Sequence, residues 1–305
     1  MDLVTFKQRF DEQLEEFLGS ALSAFSATLT DPTLAPFLAH ARELAMAGGK
    51  RVRPYMAFVM ASDSEYPEAE VLRSVLAWEL FHLFALIHDD VMDSGGERHG
   101  VPTAHVFLSE RMDAKAAEVQ AILLGDLILS LAHQAILNIQ ERGLIARDRL
   151  HVAHTIFARM SREVIAGQML DVDLTTRDSA SFAEIEKRNF LKTATYTFIR
   201  PMQFGVAIAG GNKTAMKFCE DFGTLVGQAF QLQDDLLDVR GGETGKTSMR
   251  DMREGQHTVL TQFVFEHGTA DQQKQLRAHM GKDFAKKDET LLRDMFEQTG
   301  AFTHV

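Results

Sequence analysis

Apolar residues recur three and four positions apart through most of the chain, the spacing that lines one face of an α-helix. On that pattern, helices are predicted over Leu3–Leu29, Thr33–Ala47, Arg53–Ser62, Glu68–Met92, Ala114–Arg142, Arg147–Leu170, Phe182–Ala209 and Ala215–Val239. Their ends coincide with breakers: Gly48-Gly49, Ser94-Gly95-Gly96, Gly143, Gly210-Gly211-Asn212 and Gly241-Gly242. Sustained two-residue alternation with turn pairs is absent, so an all-α fold without a sheet is expected. No Ser-, Gly- or Pro-rich linker divides the sequence, and residues 1–305 read as a single domain.

The stretch Glu68–Met92 is apolar on most faces, as a helix at the centre of a bundle must be. It ends in an acidic cluster, His88-Asp89-Asp90-Val91-Met92-Asp93. The same device returns at Gln233-Asp234-Asp235-Leu236-Leu237-Asp238, again after an apolar helix.

Composition narrows the function. The 305 residues are 45% hydrophobic, enough for one large core or two modest ones. Lys and Arg number 32 against 43 Asp and Glu, and the net charge of -11 repels nucleic acid. Cys219 is the only cysteine, which excludes an internal disulfide or a thiolate metal site and suits a reducing cytoplasm. Met1 to Gly19 lacks the basic start and apolar block of a secretory signal. No stretch is expected to provide the roughly 20 apolar residues of a membrane span.

In each acidic cluster the outer aspartates are four apart, one helical turn from each other on one face. Like charges so placed at the end of an apolar helix call for a counterion. Magnesium suits them, because it binds through one or two carboxylates, keeps water and completes its shell with phosphate oxygens. An ordinary acidic helix end is the alternative for either cluster alone, and its weight falls when the device occurs twice. No His or Cys spacing suits zinc. A metal-held diphosphate also needs fixed cations. Gly48-Gly49-Lys50-Arg51-Val52-Arg53-Pro54 offers three after a flexible pair, unless it is only a solvated basic loop. Arg98, Lys192-Thr193 and Gly245-Lys246 are further candidates.

These motifs, in this order, resemble the trans-isoprenyl diphosphate synthases, or polyprenyl synthetases. The likeness runs from about Gly48 to Leu260 through GGKRVRP, HDDVMD, Arg98, Gly100, Pro102, Thr103, Gly125-Asp126, Gly167-Gln168, Lys192-Thr193-Ala194 and Gly227-Gln228-Ala229-Phe230-Gln231 before the second cluster. The resemblance implies an orthogonal bundle of roughly ten or more helices around a deep central cavity, usually homodimeric, with the acidic motifs facing each other. It implies a magnesium-dependent prenyltransferase that joins an allylic diphosphate to isopentenyl diphosphate. Three magnesium ions would be held mainly by Asp89, Asp93 and Asp234, with Asp90, Asp235 and Asp238 ligating or orienting nearby. Arg98, Lys192 and Lys246 look like the cationic partners of the allylic diphosphate. Lys50, Arg53 and His82 match the isopentenyl diphosphate site, and Thr193 and Gln231 resemble groups that offer oxygen dipoles to the allylic cation. No side chain is assigned as general base, since in the family the leaving diphosphate takes the proton.

Phe81, Ala85, Asp89 and Asp93 form a four-apart ridge. Phe84, five before the first aspartate, matches the position where bulk stops the growing tail, so a short product of farnesyl or geranylgeranyl length is expected. Equally, Phe81 and Phe84 could only pack a helix core. Two departures stand out: His99 replaces a usual arginine and Gln256 a usual lysine, each removing a cation from a diphosphate site. Two other functions compete, a non-catalytic subunit regulating a prenyl synthase partner and a terpene cyclase-like or head-to-head enzyme. Both intact acidic clusters oppose the first, and the Lys50–Arg53 clamp opposes the second. Sequence leaves open the starter, the product length, the pathway and the partner subunit.

Overall fold

A computed structural model of the chain describes residues 1–28, 34–241 and 249–304. Helices dominate. They are α1 (Leu3–Thr28), α2 (Ala35–Met46), α3 (Val52–Ala61), α4 (Glu68–Ser74), α5 (Leu76–Met92), α6 (Ala104–Ser109), α7 (Ala114–Arg142), α8 (Arg147–Thr175) and α9 (Phe182–Asn189). A π-helix over Phe190–Ile199 precedes α10 (Arg200–Ala209), α11 (Lys213–Arg240), α12 (Arg250–Arg253), α13 (Val259–His267), α14 (Ala270–His279), α15 (Lys286–Thr299) and α16 (Ala301–His304). The predicted ends at Leu29 and Thr33 lie outside the described residues.

The α7 boundaries match the apolar period residue for residue, while α8 runs five residues past Leu170. Three local features depart from the pattern. The stretch Glu68–Met92 is broken at Val75, where φ is -98° and ψ is 0°. There the Ser74 hydroxyl bonds back to the Val71 carbonyl at 2.7 Å, a contact that bends helices. Phe182–Ala209 is interrupted by the π stretch, which ends just before Pro201. Proline has no N–H and its ring crowds the carbonyl four residues back, so a wider turn ahead of it relieves the clash.

The expectation of no sheet is corrected by a short antiparallel ribbon, β1 (Glu97–Arg98) with β2 (Val101–Pro102), paired Glu97 to Pro102 and Arg98 to Val101. His99 (φ 53°) and Gly100 (φ 81°) make its turn. Two consecutive positive φ values define the mirror-image turn that matches strand twist. Strands of two residues are too short to show alternation in a sequence.

The chain divides into two compact units, Met1–Phe157 with Pro201–Met216, and Ala158–Arg200 with Lys217–Val305. In the first, the fully buried Trp78 meets Phe157 and Phe204 edge-on at 5.4 and 5.6 Å, an arrangement aromatic quadrupoles favour. The core of the second includes Val239, Met252, Leu260, Val264, Leu276, Leu292 and Phe296.

Two helical stretches, Glu68–Met92 and Ala114–Arg142, do have the length and mean hydropathy of a membrane span, 1.4 and 1.6. This corrects the expectation that none would. Within the first unit α5 and α7 pack on each other, and 72% of the most apolar 18-residue window of the first stretch is buried, so its apolar character is that of a core helix.

Candidate active site

In the first unit α5 carries the first acidic cluster. Asp89 and Asp93, partly accessible, lie one turn apart, and the Asp93 amide closes the helix on the Asp89 carbonyl at 2.9 Å. Asp90 is turned inward and buried. Its two oxygens accept Arg98 Nε at 3.0 Å and Nη2 at 2.6 Å, a fork that ties β1 to the end of α5. Arg98 and Asp90 therefore meet as each other's partners. The bend is held by Gly95, whose amide donates to the Asp90 carbonyl at 2.9 Å and whose carbonyl accepts the Thr103 hydroxyl at 2.6 Å.

Of the three basic residues after the glycine pair, Arg51 proves to be internal. It sits at φ 50°, 3% exposed, and donates to Glu79 at 2.5 Å, Asp11 at 2.8 Å and the Ala45 carbonyl at 2.8 Å. Burial alone would lower its pKa, but Glu79 and Asp11 more than offset that and the net shift is upward. Lys50 is exposed beside it, and Arg53 Nη1 donates to His82 Nε2 at 3.2 Å. Burial, then the charges of Arg53, Arg98, Arg51 and His99, hold His82 well below its ordinary pKa, so the ring is neutral and can accept from Arg53. The exposed His99 faces the glycine loop: a Cβ on Gly48 would lie 3.7 Å from its Cγ. The structure thus gathers Arg53, Arg98 and His99 around one neutral histidine.

Gly125 acquires a reason. A Cβ there would stand 2.3 Å from His88 Cδ2, so only glycine lets α7 approach the imidazole. His88 then bonds the Ile122 carbonyl at 2.9 Å and meets Phe84 edge-on at 4.6 Å. Phe81 is fully buried between Phe84 and Phe157, at 5.2 and 5.7 Å, as the core-packing reading requires. Phe84 retains 8% exposure.

In the second unit close helix packing places Lys192 and Thr193 on the π-helix. Cβ atoms on Gly167 of α8 and Gly227 of α11 would come within 2.8 Å of Lys192 N and 2.4 Å of Ala194 Cβ. Lys192 Nζ donates to Asp171 at 2.6 Å. The Thr193 hydroxyl donates to Gln231 Oε1 at 2.6 Å, and Gln231 Nε2 donates to Asp235 Oδ1 at 2.8 Å. Asp235 Oδ2 is buried with no hydrogen-bond partner, and burial pushes its pKa up to about 6 against the help of Gln231 and Arg188. Asp238 caps the chain after the second cluster, accepting the amides of Arg250 at 2.9 Å and Asp251 at 3.2 Å. Burial raises its pKa despite those two amides. Asp234 is exposed. Lys246 lies outside the described residues.

Sequence reasoning missed Asp171, Arg188 and Asp251. Burial first, then Asp238, Asp235, Asp234 and Glu254, push Asp251 well above the ordinary carboxylate range. The usable signal for Asp171 was its position one turn after Gly167, on the face that Leu174 also buries.

Among the described residues no three His, Cys, Asp or Glu side chains already form a chelating cage. Fit to magnesium is supported by the orphaned Asp235 oxygen and by Asp235 and Asp238, where burial first and neighbouring carboxylates second resist ionisation, a penalty that a hard cation would relieve. Burial pushes the Cys219 thiol up to about 11, so it offers no thiolate.

An all-helical fold with two Asp-Asp-x-x-Asp sites, each accompanied by lysine or arginine, defines a class. The polyprenyl synthetase family profile matches residues 35–298, and the chain belongs to that family. It is 33% identical to the geranylgeranyl diphosphate synthase of Saccharolobus solfataricus over 80% of this chain and 70% of that protein. It is 28% identical to the short chain isoprenyl diphosphate synthase of Methanocaldococcus jannaschii over 92% and 78%. In structure it superposes on the geranylgeranyl pyrophosphate synthase of Corynebacterium glutamicum complexed with isoprenyl diphosphate and magnesium, at TM-score 0.91 and 30% identity, covering 100% and 89% of the two chains.

Proposed function

We propose that the chain is a magnesium-dependent prenyl diphosphate synthase that condenses an allylic diphosphate head-to-tail with isopentenyl diphosphate. It releases diphosphate and makes an all-trans product of farnesyl to geranylgeranyl length. The observation that carries this is the end of α5, where Asp89 and Asp93 lie one turn apart on the helix that also bears His82, ringed by Arg53, Arg98 and His99. A carboxylate pair beside a cation cluster is what a metal-bridged diphosphate and a second, directly held diphosphate require. The relatives in this size class are named as synthases, which favours a synthase over a regulatory subunit or a cyclase.

Asp89, Asp93 and Asp234 are the proposed main metal-binding residues, joined by Asp235 through its orphaned oxygen, with Asp90 and Asp238 orienting Arg98 and the segment after α11. Three bound magnesium ions would supply Lewis-acid stabilisation to the departing diphosphate. Arg98, Lys192 and Lys246 would balance the remaining charge on that leaving group. Lys50 and Arg53 would hold isopentenyl diphosphate, with neutral His82 fixing the Arg53 fork. Thr193 and Gln231 would turn oxygen dipoles to the allylic cation. Phe84 would stop the tail. That the two units form one catalytic domain around a shared cavity, with the acidic motifs opposed, belongs to this proposal. So does a homodimer, which the exposed apolar stripe Val119, Ile122 and Leu123 on α7 supports. A cytoplasmic location belongs to the proposal as well, supported by a sequence whose one cysteine, Cys219, allows no internal disulfide.

The test is incubation with magnesium, radiolabelled isopentenyl diphosphate and each allylic starter, followed by separation of products by length. Asp89→Ala and Asp234→Ala should each abolish product. Full activity in both variants refutes the metal roles.

A further inference from the structure

We propose that Gln256 is a positioning residue, which acts through Asp171 and Arg188 to hold Lys192 in its working place. The proposal rests on the reading of Lys192 as a cation for the allylic diphosphate.

Asp171 lies on α8 and is 4% exposed, and its hydrogen-bond partners Arg188, Lys192 and Gln256 are in the same compact unit. Its Oδ1 accepts Arg188 Nη1 at 3.0 Å. Its Oδ2 accepts Lys192 Nζ at 2.6 Å and Gln256 Nε2 at 3.2 Å. The other end of the Gln256 amide, Oε1, accepts from Arg188 Nη1 at 3.2 Å. Arg188, Asp171 and Gln256 therefore close a ring of hydrogen bonds, and Lys192 hangs from one corner of it.

The chemistry of position 256 decides what the ring can do. Glutamine brings both a donor and an acceptor, and the ring uses one of each. A lysine there has three donors and no acceptor, so it could not accept from Arg188 and would compete with Lys192 for Asp171 Oδ2. A neutral amide leaves that carboxylate oxygen to one ammonium. The Lys192 side chain is 34% exposed while that of Asp171 is 5% exposed, so the ammonium sits at the accessible edge of an otherwise buried anchor. Gln256 itself is fixed by its backbone amide, which donates to the Asp251 carbonyl at 2.7 Å. In this way the turn after α12 controls a lysine on the π-helix.

The experiment is a double-mutant cycle on the full chain with Gln256→Met, Lys192→Met and the pair, measuring kcat and both KM values together with melting temperature. Gln256 is only partly buried and methionine keeps its length, so the variant is expected to fold. Gln256→Met should lower kcat by roughly ten- to a hundredfold, as for lost supporting contacts elsewhere, and leave the isopentenyl diphosphate KM unchanged. In the Lys192→Met background the same change should cost less than about twofold, because the group it positions is gone. Unchanged kcat in Gln256→Met overturns the proposal. So do losses that multiply in the double variant, which would show a purely structural role. If Lys192→Met alone retains full kcat, the role of Lys192 fails and takes the proposal with it, a result distinguishable from failure at Gln256.

Discussion

Arg51 permits the sharpest test of how the site is held. Its guanidinium is buried between Glu79 and Asp11 on a left-handed residue that is not glycine. Replacing it by methionine keeps most of the stem but strands both carboxylates. The Glu79 side chain is 10% exposed and cannot regain water, whereas that of Asp11 is 24% exposed and partly can. Breaking a buried pair by removing one partner costs about 3–5 kcal/mol, and most of that is expected here from Glu79. Such a cost is a large share of a typical stability of about 5–15 kcal/mol, so the variant should remain folded but weakened. The assay is urea unfolding followed by circular dichroism, with a midpoint shift of about 1 M or more at an m-value near the top of the usual range. The companion Arg51→Met/Glu79→Gln removes the stranded charge and should recover about half of the loss. A cost below about 1 kcal/mol for Arg51→Met, or no recovery in the companion, refutes the buried bridge.

His82 yields a pH effect of defined sign. Its folded pKa lies well below 6.5, so the unfolded chain takes up the proton first as pH falls. The stability due to neutral His82 is complete above pH 6.5 and is lost below it, and His82→Gln should flatten melting temperature between pH 7 and 5 relative to wild type. Asp235 acts oppositely in the metal-free protein, because its folded pKa of about 6 exceeds the usual 3.8. Its cost grows as pH rises from 4 to 6, so Asp235→Asn should gain stability over wild type across that window in the presence of a chelator. Phe84→Ala should lengthen the product on chromatography, whereas Phe81→Ala should chiefly cost about 3–5 kcal/mol in unfolding, since Phe81 is fully buried. Gly125→Ala should cost about 1–3 kcal/mol by displacing His88, read out in the same unfolding assay.

Most of the helices were legible because their apolar period survives burial, and α7 shows it residue for residue. The breaks were not. Val75 and the π stretch before Pro201 depend on how single residues meet their neighbours, and the His99-Gly100 ribbon is too short to leave a period. The proposed metal-binding residues Asp89, Asp93 and Asp234 stand out in the sequence because a repeated charge spacing at the end of an apolar helix is a local signal. Asp171, Arg188 and Asp251 were not, because single charged residues in a sequence look alike whether buried or solvated.

The helical class, the doubled acidic device and the family can be read along the chain, since period, spacing and motif order are all written in one dimension. Which charges are spoken for emerges once the chain is folded. Arg51 and Arg188 turn inward to buried carboxylates, Asp90 takes Arg98, and Gln256 completes the ring on Asp171. A charged group's role depends on its nearest partner and on its access to water, and residues far apart in the chain set both.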